Sequence, residues 1–202
     1  DEQGLIMRYE SEHKPKIRGR IGKEAAKAIR AKGPLQVSVA GVMSKAGLTH
    51  GGFYAHFASK DALIEAAIQQ MFNQVMQRWD KDNQGLSAPQ QLAGYIDFYL
   101  SPWHRDNRSQ GCPVSALASE APRMSTPCQA EFARGIERIR SMIIRQLTEM
   151  GVEDPQVTAV SVSSELMGSL SLARCEPDRE ASDALLESAK KTLKARLNLP
   201  EE

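Results

Sequence analysis

The stretch "GLTHGGFYAHFASKDAL", Gly47 to Leu63, decides the reading of this chain. Its centre has the marks of a short helix. Thr49 stands where a cap is needed, and Phe53 and Phe57 lie four residues apart. Yet Gly51 and Gly52 fall inside it, and each costs about 1 kcal/mol relative to Ala in a helix interior. Either the pair is the tight turn of a hairpin, or the missing side chains leave room for something that approaches the backbone. A hairpin needs alternating strands on both sides, and "KAGLTH" and "FYAHFAS" do not supply them.

The flanks read as helix. Ser38 can cap a segment carrying Val39, Val42, Met43 and Ala46, which Gly47 ends. Upstream, Ile21, Ala25 and Ile29 recur every four residues in a basic helix over 16–32, stopped by Gly33 and Pro34. Downstream, Ser59 caps a long helix with Asp61 in its first turn, where a carboxylate suits the dipole. Helix 38–46, a turn at Gly47–Leu48 and helix 49–56 make a helix–turn–helix, whose second helix enters the major groove of DNA. So short a helix is marginal alone, so Phe53 and Phe57 must hold it by packing. The glycines then let the backbone come close to DNA.

Charge agrees. Between Lys14 and Lys60 there are ten Lys/Arg and one acid, Glu24, although the whole chain carries only +1. A basic head on an acidic body points to a polyanion partner such as nucleic acid for the head, with a solvated helix face as the alternative that charge alone leaves open.

Helical spacing continues to the end, which predicts an all-α fold. The stripe Ile64, Ile68, Met71, Val75 and Trp79 runs to about residue 83. Further helices are expected over 89–101, 114–121, 127–149, 155–174 and 178–198, with 101–113 as a polar connection. The division expected is a flexible segment 1–15, an N-terminal three-helix DNA-binding domain 16–58 and a larger helical bundle 59–202. No apolar run approaches the ~20 residues of a membrane span, and the polar opening "DEQGLIM" lacks a secretory core. Three cysteines without a CxxC read as reduced thiols in a cytoplasmic protein. A metal site from His50 and His56 lacks a third ligand nearby, and no cofactor is expected.

The stretch "VSVAGVMSKAGLTHGGFYAHFASKDALIEAAI" (37–68) resembles the DNA-binding signature of the TetR/AcrR transcriptional repressors. The matching features are Val37–Ser38, Val42, Ala46–Gly47, "FYAHF" at 53–57, and Ser59–Lys60 followed by Leu63. The resemblance covers roughly 16–68; the remainder agrees in architecture. It implies a homodimer that represses from a palindromic operator and is released by a small molecule or by thiol modification. It also implies phosphate contacts from Arg18, Ser38, Thr49, Tyr54, His56 and Lys60, which position the protein without reading sequence. Base readout falls to His50, Gly51 and Gly52. Many members carry a longer side chain where Gly52 stands, so DNA shape or Lys45 takes part of the specificity. Tyr54 has the alternative of half-buried core, His56 that of merely capping or packing, and Lys60 that of an exposed helix charge.

In the body, Met71, Val75, Trp79, Tyr95, Phe98, Tyr99, Trp103 and Met167 are candidate linings for an apolar effector, or ordinary core. "GCPVSALASE" (111–120) places Cys112 directly before a helix, where dipole and free N–H groups stabilise a thiolate. Relatives with a similar stretch include some whose cysteine answers electrophiles or oxidants. The alternatives are a small structural residue, a disulfide with Cys128, or the nucleophile of an enzyme using His104 as base. An enzyme would leave the basic head unexplained, and an adaptor for an acidic protein would leave "FYAHFASK" unexplained. Ser161, Ser164, Gly168 and Ser171 form a small-residue stripe, and Leu185, Leu186, Ala189 and Leu193 an apolar one on the last helix. Both are candidates for a four-helix dimer interface, unless they are buried within one subunit.

Overall fold

A computed structural model describes residues 2–200, with side chains from residue 13 onward. The described residues are helical throughout, without strands. Helix α1 spans Glu2–Lys32 with Pro15 inside it, so the backbone is helical well before the start near residue 16 that periodicity predicts. The flexible segment expected over 1–15 falls partly outside the described residues. Ile21, Ala25, Ala26, Ile29 and Arg30 of α1 are all buried.

Helix α2 spans Val39–Lys45. Ser38 caps it, its hydroxyl accepting from the Gly41 N–H at 3.0 Å. Its other end is a Schellman turn: Leu48 N–H donates to the Met43 carbonyl at 2.9 Å and Gly47 N–H to that of Ser44 at 3.0 Å. This turn requires φ of 71° at Gly47, which glycine adopts without penalty.

The next element, His50–Ala55, is a 3-10 helix rather than the α-helix expected over 49–56. Two glycines remove the propensity for a longer helix, and six residues suit the tighter form. Thr49 occupies the capping position, but its side chain makes no cap bond. Phe53 and Phe57 are buried and stacked on one another, with centroids 5.7 Å apart.

Helix α3 (Lys60–Asp82) is capped by Ser59, whose hydroxyl accepts from Ala62 N–H at 3.1 Å. Helix α4 follows at Ala88–Tyr99 and α7 at Thr126–Glu149. Helices α3 and α7 cross at Gly135, where an added Cβ would lie 2.1 Å from the Phe72 ring. The last two helices are α8 (Pro155–Cys175) and α9 (Arg179–Arg196).

The predicted polar connection at 101–113 is instead folded. It holds α5 (Pro102–Asp106), capped by the Ser101 hydroxyl, and a 3-10 turn at Arg108–Gln110. His104 and Arg105 are buried there. Arg105 is bound by Ser182 at 2.7 Å and Asp183 at 2.5 Å, while Arg179 reaches Asp106 at 2.7 Å. Charged side chains usually mark a solvated loop, but these are satisfied by partners on α9 far along the chain. Helix α6 is only Pro113–Leu117, shorter than the expected 114–121.

One continuous apolar cluster joins Ile21 of α1 to Leu199 beyond α9. No break in the core marks the boundary expected near residue 58. No helix among the described residues is long and apolar enough to cross a membrane.

Candidate nucleic-acid interface and effector cavity

The head presents a polar edge over a packed core. Lys45, Thr49, His50, Gly51 and Tyr54 are exposed, while Val42, Met43, Phe53 and Phe57 beneath them are buried. Tyr54 is 72% exposed, so it is not part of the core. His56 and Lys60 are half-buried. His56 Nδ1 has no hydrogen-bond partner among the described residues, and burial, with Lys14 and Arg18 nearby, lowers its pKa. Arg18 is exposed but already engaged. Its guanidinium lies over the Phe57 ring, 4.1 Å from the centroid, and donates to the His56 carbonyl. It thereby ties α1 to the end of the 3-10 helix.

Nothing among the described residues demands the two glycines. Neither has positive φ. A Cβ on Gly51 would meet no atom within 4 Å, and one on Gly52 would make only ordinary contacts at 3.8 Å with Met43 and Thr49. The space above Gly51 is open to whatever docks on this edge.

In the body two cavities lie on either side of Tyr95, Tyr99 and Cys112, which line both. The first, of about 320 Å³, is walled by Val75, Trp79, Phe98 and, unforeseen in the sequence, Arg30 of α1. The second, of about 270 Å³, lies between α6, α7 and α8 and includes Met167 and Ser164. Six of the eight lining candidates are thus brought together. Met71 is not among them, being fully buried in the core. Trp103 is not either; it is exposed and packs on Phe98. Trp79, Tyr95 and Tyr99 form a chain of ring contacts at 5.6 and 5.8 Å.

Cys112 is buried, and burial pushes its thiol up despite hydrogen bonds from Ser115, Tyr99 and Val114. The stabilised thiolate expected from its place before a helix is therefore not found: desolvation outweighs one short helix. Cys112 and Cys128 are both free thiols. Nor is His104 a base for Cys112. Its Nδ1 donates to the Tyr99 carbonyl at 2.8 Å and its Nε2 accepts the Cys112 backbone N–H at 2.9 Å, so both ring nitrogens are occupied by backbone. Gly111 makes this possible, since a Cβ there would lie 2.5 Å from the imidazole. Arg174 of α8 completes the arrangement by donating to the carbonyls of His104, Arg105 and Ser115.

On α8, Ser161, Ser164 and Ser171 are exposed, with Gly168 half-buried between them. Exposed Val157, Val160 and Leu172 share that helix. On α9, Leu185 and Ala189 are half-buried, but Leu186 and Leu193 face the subunit's own core. These last two leave the predicted interface because α9 spends that stripe packing on its own subunit.

Comparison with known proteins fits this architecture. Residues 21–67 match the family model of bacterial regulatory proteins of the tetR family. Residues 88–190 match the C-terminal domain of LmrA/YxaF-like transcriptional regulators. No curated protein matches the sequence. Among solved structures, the reduced form of NemR from E. coli is 17% identical, with a TM-score of 0.76 over 89% of this chain and 97% of that one. A TetR regulator from Chloroflexus aurantiacus is 21% identical, with a TM-score of 0.77 over 93% and 96%. One from Cytophaga hutchinsonii is 19% identical, with a TM-score of 0.77 over 91% and 96%. The chain belongs to the TetR family of DNA-binding transcriptional regulators.

Proposed function

We propose that this regulator is a cytoplasmic homodimeric repressor that leaves a palindromic operator when a small molecule fills the cavity beside Tyr95, or when Cys112 is modified. The observation that carries the reading is the place of α1. This helix shapes the DNA-binding head through Ile21, Ala25 and Ile29, and lines the cavity through Lys27 and Arg30. An occupant and the operator therefore act on one rigid element, which is what coupling between two sites requires. Phosphate contacts fall to Arg18, Ser38, Thr49, Tyr54, His56 and Lys60, and base readout to Lys45, His50 and the backbone at Gly51–Gly52. Small Ser161, Ser164, Gly168 and Ser171 of α8, with Leu185 and Ala189 of α9, form the contact between subunits. Because Cys112 borders both cavities, an electrophile seated in either one meets its sulfur. Reaction there follows binding rather than thiolate character.

The test is selection from random double-stranded DNA, repeated across salt. An enriched palindrome whose binding weakens steeply with salt is expected, because each neutralised phosphate releases counterions. Absence of any enriched motif overturns the reading.

A further inference from the structure

Arg30 is a buried cation without an anionic partner among the described residues. The residue is 3% exposed and lines the first cavity. Its Nη1 donates to the Gly111 carbonyl at 3.3 Å and its Nη2 to Gln74 Oε1 at 3.0 Å, both uncharged acceptors. Its Nε is buried with no hydrogen-bond partner among the described residues. Burial pulls the guanidinium down to about 10. A charge held this way is costly unless a counter-ion completes it.

The rest of the cavity repeats the sign. Lys27 and Arg78 line it as exposed residues, and Asp82 is the one carboxylate among its lining residues. Arg78 is stacked on Phe98, 4.5 Å from the ring centroid, so its charge is held beside the aromatic wall. A neutral occupant would leave Arg30 uncompensated, and a cation would meet the like charges of Arg30 and Arg78, Lys27 being paired with Glu24 at 3.4 Å.

We infer that this cavity takes an aromatic carboxylate, its ring against Trp79, Tyr95 and Phe98 and its anion on Arg30, with Arg78 at the rim. The inference rests on the effector-responsive reading above and names the effector's chemical class. It also names the coupling. A carboxylate on Arg30 competes with Gly111 and Gln74 for its donors, and so acts on α1 directly.

The test is calorimetric titration of the full chain, without DNA, with 2-naphthoate and with its neutral isostere 2-naphthamide. The carboxylate is expected to bind roughly tenfold tighter or more, the worth of a charge-assisted hydrogen bond. Arg30→Gln abolishes that preference. Should Arg30→Gln fail to fold, Arg78→Gln at the rim diminishes the preference in a folded protein. Equal affinity for the two compounds, a preference that survives the substitutions, or binding of neither at millimolar concentration overturns the inference. Since DNA is absent, failure of operator binding leaves this result standing. Loss of carboxylate binding with intact operator binding defeats this inference alone.

Discussion

The backbone N–H of Cys112 donates to Nε2 of His104 at 2.9 Å, and this bond fixes the charge of a fully buried imidazole. With Nδ1 donating to Tyr99, only the neutral tautomer satisfies both contacts. Burial, with Arg174 and Arg78 nearby, lowers the imidazole to about 4, against the bond to Tyr99. Between pH 6.5 and 4 the unfolded chain takes up a proton that the folded chain refuses. The contribution of His104 is therefore constant above that window and falls by about 3 kcal/mol as pH drops through it. Urea unfolding across pH checks this, and His104→Gln should flatten the slope to the part that His56, lowered in the same direction, contributes. An unchanged slope in the variant would assign it to another group. Asp106, held well below the usual carboxylate range by Arg179 and Arg105, acts only below this window.

Gly51 separates folding from DNA binding. Its φ is not positive, and an added Cβ meets nothing within 4 Å. Gly51→Ala should leave stability unchanged or raise it by up to about 1 kcal/mol, through reduced freedom of the unfolded chain. Operator affinity should nonetheless fall, because the methyl group occupies the approach to the bases. Thermal melts and equilibrium DNA binding on the same preparation check both halves. A variant that binds its operator as tightly as the parent would show that DNA does not approach this edge.

Much of the head was legible because its signals are local: Ser38 and Ser59 cap within three residues of their partners, and Gly47 closes its turn within four. The short helix after Thr49 was legible in place but not in type, since a 3-10 geometry leaves the same Phe53–Phe57 spacing. The cavity was half legible. Its aromatic wall follows α3 and α4 periodicity, whereas Arg30 reaches it from α1. A signal existed: Arg30 follows Ala26 by four on the buried side of α1, and a basic residue there needs a reason. Residues 101–113 were opaque because Arg105 finds Asp183 across 78 positions, a pairing no window of sequence contains.

Cysteine reactivity should follow exposure. Cys175 is exposed, whereas Cys112 and Cys128 are buried with thiols pushed up by desolvation. At neutral pH iodoacetamide should alkylate exposed Cys175 first and Cys112, reached only through the cavities or as the protein opens, more slowly. Mass spectrometry of timed samples checks the order. The regulatory role is separate: Cys112→Ser should abolish release from DNA by apolar electrophiles while leaving release by unreactive ligands. Release by every electrophile in the variant would make Cys112 a structural residue.

Two residues, each on one of the last two helices, distinguish the inside of a subunit from its interface. Leu186 of α9 is 1% exposed within a single chain. Leu186→Ala should cost about 2–5 kcal/mol of stability, through lost burial and the cavity left behind. Gly168 of α8 is half-buried, and an added Cβ there meets nothing within 4 Å. Gly168→Glu should therefore be tolerated by an isolated subunit, and glutamate also favours helix more than glycine does. Across a symmetric contact the same carboxylate would face its own copy in close packing, where like charges repel. Sedimentation at micromolar concentration should then show a folded monomer for Gly168→Glu and a dimer for the parent. A dimer retained by the variant would move the interface off this stripe.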